Sequence, residues 1–165
     1  RHHRRRSETS LSMSLSGVLA AARKEVGYKE GANNDNKFAA IAGHANHQPW
    51  CATFIRACFI LGKEEKAIPN TAYCPHIEAW GRAHNKIVPT KEARKGDLVL
   101  FDFARAGKAD HVGILSHDYD PTKPNLIRTI EGNTGTQSQT NGDGVATKAR
   151  AISLVRVIVR PNWSK

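Results

Sequence analysis

A thiol, an imidazole and a carboxylate or amide occur along this chain in an order and in local settings suited to nucleophilic catalysis. Cys51 sits in Gln48-Pro49-Trp50-Cys51-Ala52-Thr53-Phe54, where a polar loop gives way to an apolar run closed by Gly62. A cysteine at a helix start meets unpaired backbone amides and the positive end of the helix dipole, which favour the attacking thiolate. Most free cysteines are simply buried; position at a helix start, after Pro and Trp, sets Cys51 apart. Such a nucleophile needs a base. His111, in Asp110-His111-Val112-Gly113-Ile114-Leu115, opens a strand-like run, so its ring can reach a cleft at the sheet edge. A third group must orient the imidazole. If Val112 to His117 pairs antiparallel with Leu126 to Glu131, with His117 opposite Asn125, then Glu131 falls directly opposite His111. Asn133 then lies on the same face two residues on.

Other side chains have weaker claims. Cys58 lies two helical turns beyond Cys51 and reads as core. Cys74, in Tyr73-Cys74-Pro75-His76, is a rival nucleophile by its nearby His; it could also approach Cys51 or pair with Cys58. A zinc site from Cys74, His76 and His84 follows no common ligand spacing. Gln48 is a candidate oxyanion donor alongside the Cys51 backbone N–H. Trp50, Tyr73 and Trp80 are candidates for lining a substrate groove, although aromatics are more often core. Asp102, Asp110 and Glu78 read as surface or turn residues.

The elements that must position these groups follow from periodicity. Leu11, Leu15, Val18, Leu19, Ala22 and Val26 form one helical stripe, stopped by Gly27. Gly31 to Asn36 is a polar loop, and Lys37 to Ala42 a short helix ending at Gly43. Trp50 to Leu61, opened by Pro49, is a buried helix, and Pro75 to His84 another. After Gly96 the texture becomes β: Asp97 to Phe103, Val112 to His117, Leu126 to Glu131, Val145 to Arg150 and Ile152 to Val159. The last alternates Leu154, Arg156, Ile158 and Arg160 on one face. Helices first and an antiparallel sheet afterwards make the fold class α+β.

At 165 residues the chain has room for one domain: a tail over 1–10, which lacks any apolar side chain, and a domain over 11–165. With 39% hydrophobic and 24% charged residues it is expected to be globular rather than disordered. The longest uncharged apolar run, Trp50 to Ile55, is far short of the ~20 residues of a membrane span. Lys and Arg exceed Asp and Glu by 25 to 15, which points to an anionic partner. Three cysteines are too few for a disulfide framework.

The chain resembles a CHAP domain (cysteine, histidine-dependent amidohydrolase/peptidase), the type found in phage endolysins and bacterial wall hydrolases. The resemblance rests on five blocks in family order. These are Tyr28-Lys29-Glu30-Gly31 with Asn33 to Asn36; Pro49-Trp50-Cys51-Ala52-Thr53-Phe54-Ile55; Gly96-Asp97-Leu98-Val99-Leu100-Phe101-Asp102; Asp110-His111-Val112-Gly113-Ile114; and Thr129-Ile130-Glu131-Gly132-Asn133-Thr134. It implies a papain-like α+β fold, with helices packed on a C-terminal antiparallel half-barrel. It also implies Cys51 as nucleophile, His111 as base, Glu131 with Asn133 as orienting residues, and cleavage of a peptidoglycan amide. Endopeptidase and N-acetylmuramoyl-L-alanine amidase activity both remain open. The chain departs from the calcium-binding relatives: His44-Ala45-Asn46-His47 has no carboxylate and Asn33-Asn34-Asp35-Asn36 has one, so no metal and no cofactor are expected.

Two other function classes compete. One is a wall-binding module that has lost catalysis, against which the intact Cys51, His111 and Glu131 set argues. The other is a basic nucleic-acid-binding module, which would need basic residues clustered with exposed aromatics; here they are scattered. The expected partner is therefore the anionic peptidoglycan wall, not nucleic acid or membrane, and the expected state a monomer. A phage origin implies synthesis in the host cytoplasm and action at the wall after release, and no secretory signal peptide is visible.

Overall fold

The computed structural model describes residues 14–135 and 141–164. The expected tail over 1–10, and Leu11 at the start of the domain, lie outside the described residues. Helix α1 (residues 14–24) buries Val18, Leu19 and Ala22 completely or nearly so. Val26, expected on the same stripe, is exposed. The helix gives out before it, and Gly27 (φ 98°) turns the chain so that its N–H meets the Val145 carbonyl at 2.9 Å.

α2 (Phe38–Ala42) ends at Gly43, whose φ of 71° suits glycine. α3 (Cys51–Leu61) is apolar nearly all round because it is covered nearly all round: Phe54, Ile55, Ala57 and Phe59 have no exposed surface. Burying each of the larger three contributes roughly 1.5–3 kcal/mol. α4 (Cys74–Ala83) carries Pro75 in its first turn, where a missing N–H costs nothing. Among the described residues no helix is long and apolar enough to cross a membrane.

Among the described residues six strands follow: β1 (Ile87–Val88), β2 (Leu98–Phe101), β3 (His111–Leu115), β4 (Leu126–Thr134), β5 (Gly144–Ala151) and β6 (Val155–Val159). They form one antiparallel sheet in the order β1-β6-β2-β3-β4-β5. β1 and β5 are its edges, so the sheet is open and not closed into a barrel. The two-residue β1 carries no apolar alternation and was not expected. β2 is a continuous apolar run because both its faces are covered. Leu98 and Leu100 join the core under the helices; Val99 and Phe101 join a second cluster with Leu115, Ile127 and Ile158.

The expected strand from Ile152 to Val159 splits. Ile152–Leu154 is a 3-10 turn, so Leu154 does not share a strand face with Arg156, and β6 starts at Val155. Glu78, expected at the surface, is buried. It pairs with Arg82 one turn on at 2.8 Å and with Arg156 of β6 at 2.6 Å, tying α4 to the sheet. Burial alone would raise its pKa, but the two guanidinium groups hold the carboxyl below its ordinary range. Asp102 and Asp110 are turn residues as expected, accepting backbone N–H bonds from Ala106 and Gly107 and from Phe103 and Ala104.

α3 lies across β3 and β4. Their approach depends on Gly132: a Cβ there would sit 2.6 Å from Phe54 Cβ and 2.9 Å from Trp50 Cζ3. That close crossing brings the first turn of α3 to the end of the sheet where β3 begins.

Candidate active site

Cys51 is the first residue of α3 and is 6% exposed. The chain is fixed just ahead of it. The Trp50 indole is buried, stacked on Phe38 at 5.4 Å and edge-on to Tyr28 at 5.9 Å, and its Nε1 donates to Glu30 Oε1 at 2.9 Å. The Trp50 backbone N–H donates to Asn133 Oδ1. Asn133 has a left-handed φ of 54°, at a break in the β4–β5 ladder, and its Nδ2 donates to Asn141 Oδ1 at 3.0 Å and the Gly142 carbonyl at 2.9 Å. A residue from β4 thus staples the start of α3, next to Cys51. Beside this staple lies a polar cleft of about 640 Å³, lined by Lys29, Glu30, Asn33, Thr134, Asn141 and Asp143 among others.

The Cys51 thiol is held well below its ordinary pKa. The largest cause is the Cys74 thiol, whose Sγ lies 3.7 Å from Cys51 Sγ. Burial opposes the shift; the neighbouring His111 ring and the Val112 backbone reinforce it. The start of α3 acts in the same sense. Cys74 moves the opposite way, kept as a thiol by its donation to Cys51 and by burial.

His111 opens β3 and has no exposed surface. Its ring lies 5.5 Å from that of Phe103 and 6.1 Å from that of Phe101. Nε2 bonds Glu131 Oε1 at 2.8 Å. Among the described residues Nδ1 has no hydrogen-bond partner, which leaves that buried nitrogen as the one free to interact with Cys51. Burial would lower the pKa of His111, but the Cys51 thiolate and the Glu131 carboxylate outweigh it and raise it to about 9. Both shifts favour a thiolate and imidazolium pair.

Glu131 is fully buried and fully bonded. Besides His111 it accepts from Arg150 Nε at 3.0 Å and from Arg150 Nη2, and from Thr129 Oγ1. Arg150 in turn lies over Phe103, 4.9 Å from its ring centroid, and Phe101 at 5.7 Å. Burial would raise the Glu131 pKa; the hydrogen bonds and charges of His111 and Arg150 bring it down to about 2. A carboxylate so held orients the imidazole without taking its proton.

The expected register needs correction. β3 and β4 pair Ile114 with Ile130 and Leu115 with Thr129, two residues away from the register that sets Glu131 against His111. Ser116 N–H bonds the Arg128 carbonyl at 3.0 Å, so the connecting loop is longer than assumed. A shift of two keeps every side chain on its face. Glu131 is opposite Gly113 and reaches His111 diagonally. Asn133, expected as a second orienting residue, is committed to Trp50 and the 141–142 loop, and among the described residues the imidazole hydrogen-bonds Glu131 alone.

Of the other candidates, Trp50 is core rather than groove, at 1% exposed. Tyr73 is 49% exposed beside Cys74, its ring edge-on to His76, and flanks the site. Trp80 lies near the far end of α4, stacked on His84, away from Cys51. Gln48 is exposed on the loop before α3. Cys58 is buried in the core, and burial raises its pKa. Arg150, Thr129 and the Glu30–Trp50 bond were not anticipated. The signal for Arg150 lay across strands: pairing β4 with β5 puts Ala146, Lys148 and Arg150 on the face of Glu131.

Among the described residues no group of three His, Cys, Asp or Glu is arranged to hold a metal. The Asn-rich loop satisfies itself: Asn46 donates to Asp35 at 2.7 Å and accepts from the Asn36 backbone at 3.0 Å.

No protein-family model and no curated protein matches the chain. Solved structures do. The peptidoglycan hydrolase RipB from Mycobacterium tuberculosis aligns with a TM-score of 0.60 and 15% identity, over 95% of this chain and 68% of that one. The P60 domain of an antigen from M. avium subspecies paratuberculosis aligns with a TM-score of 0.56 and 15% identity, over 94% and 98%. The likeness is one of fold, a papain-like α+β domain.

Proposed function

We propose that the chain is a cysteine-dependent peptidoglycan hydrolase of the CHAP type, acting through an acyl-enzyme. The observation that carries the reading is the buried His111: Nε2 on Glu131 at 2.8 Å, Nδ1 left without a partner beside a cysteine whose thiolate is favoured. A module that only binds the wall has no use for a buried, half-satisfied imidazole. The RipB likeness supports the choice of substrate, since that protein is a peptidoglycan hydrolase. The net charge of +10 suits approach to an anionic wall.

In this mechanism the Cys51 thiolate attacks an amide carbon of the wall. The Cys51 backbone N–H, with the exposed Gln48 amide as second donor, holds the oxyanion. His111 gives its Nδ1 proton to the leaving amine as the C–N bond breaks, leaving a thioester. His111 then takes a proton from water, which attacks the thioester and frees Cys51. Glu131 holds the ring in its working orientation and stabilises the imidazolium; Arg150 keeps Glu131 ionised. The same chemistry cleaves a stem-peptide bond or the amide joining the stem to the glycan. As an endolysin the enzyme is made in the host cytoplasm and meets the wall once the membrane is breached.

The test is clearing of a turbid wall suspension by wild type and by Cys51→Ala. Clearing by wild type alone supports the reading. Retention of wall in pelleted complexes without clearing favours a binding module. Capture of nucleic acid in place of wall favours the basic-module alternative.

A further inference from the structure

The catalytic scheme leaves one nucleophilic group at the site unused. Cys74 is the first residue of α4, and its Sγ stands 3.7 Å from that of Cys51. Both are free thiols, and each residue is 6% exposed. Cys58 is also free but 1% exposed in the core, which makes it an internal control.

We infer that Cys74 is the resolving thiol of a reversible oxidative switch on the nucleophile. The inference rests on the reading of Cys51 as that nucleophile. A peroxide is the oxidant. The Cys51 thiolate attacks one peroxide oxygen, the O–O bond breaks, and the departing oxygen leaves as water or an alcohol after taking a proton. Cys51 is then a sulfenic acid. The Cys74 sulfur, losing its proton, attacks the Cys51 sulfur; the S–O bond breaks and the hydroxide leaves with that proton as water. The two sulfurs together give up two electrons, which the peroxide accepts. The sulfurs must close from 3.7 Å to about 2.05 Å for the bond to form.

The reactivities match the roles. Cys51 is the sulfur favoured as thiolate, so it meets the oxidant first. Cys74 is favoured as the thiol while Cys51 is anionic, and loss of the Cys51 charge removes one cause of that preference. The disulfide removes the nucleophile, and a dithiol restores it. Without Cys74, further peroxide carries Cys51 to the sulfinic acid, which dithiols do not reverse.

The experiment treats the reduced full chain with hydrogen peroxide, then alkylates it under denaturing conditions and maps the peptides. Wild type is expected to give a linked Cys51–Cys74 peptide, two hydrogens lighter than its parts, with Cys58 alkylated. Wall clearing is expected to fall and to return with dithiothreitol. Cys74→Ser, scaled to its own reduced rate, is expected to recover about a tenth or less and to carry sulfinic acid at Cys51. Sulfinic acid at Cys51 of wild type with no linked peptide overturns the inference, as does equal recovery by Cys74→Ser. If Cys74→Ser does not fold by circular dichroism, the wild-type map decides. The map needs no wall substrate, so a linked peptide in a chain inactive on walls faults the hydrolase reading and not the thiol pair.

Discussion

Glu131 lies opposite Gly113 in the sheet, and its side chain crosses that glycine to reach His111 Nε2 at 2.8 Å. A Cβ on residue 113 would stand 2.7 Å from Glu131 Cγ, closer than real Cβ contacts come. The glycine is therefore the opening through which the carboxylate meets the imidazole.

Gly113→Ala is expected to displace Glu131 and lower turnover by roughly 10–1000-fold, the range of a general-base contribution. Overpacking at a buried strand should also cost about 1–3 kcal/mol. Turnover on purified wall and thermal unfolding measure the two; unchanged turnover would mean that Glu131 need not take this path.

Glu131 and Asn133 should separate by readout. Glu131→Ala removes the orienting carboxylate and should act mainly on turnover. Asn133→Ala removes the acceptor of the buried Trp50 N–H and should cost about 1–3 kcal/mol of stability, with the smaller loss of turnover in the folded fraction. Circular dichroism melts and rates on one wall preparation decide; a larger loss of turnover in Asn133→Ala would make the amide the orienting group.

The pH behaviour has a sign at each end. His111 is raised to about 9, so the imidazolium that protonates the leaving amine persists until then, and lysis should fall as pH rises past about 9. Glu131→Gln removes one cause of that shift and should move the alkaline limb to lower pH. The Glu131 carboxyl is lowered from 4.5 to about 2, so its contribution to stability is present above 4.5 and is lost as pH falls towards 2. That portion of acid sensitivity should be missing in Glu131→Gln, as followed by fluorescence against pH.

Chelation should leave lysis unchanged. Asp35, a carboxylate of the Asn-rich loop, already accepts from Asn46 at 2.7 Å. Loss of clearing in EGTA, restored by calcium, would show a site that the loop's own bonding conceals.

How far the sequence reveals the site follows from the range of each interaction. Cys51 at a helix start and His111 at a strand start are local patterns, legible from Pro49, Gly62 and the apolar runs. The face shared by His111 and Glu131 follows from strand parity, which a register error of two leaves intact. What local pattern does not carry is partnership across strands and helices. Arg150 on Glu131, Cys74 on Cys51 and Arg156 on Glu78 each depend on how elements pack. Trp50 next to Cys51 reads as a groove residue until the fold turns its indole inward against Phe38.

The central claim is that the Cys51 thiolate cleaves an amide bond of the wall. The most direct measurement counts new amino groups and new reducing sugar ends released from purified peptidoglycan by wild type and by Cys51→Ala. Amino groups should appear with wild type, without reducing ends, and be absent with Cys51→Ala. Reducing ends, or amino groups released equally by Cys51→Ala, would contradict it.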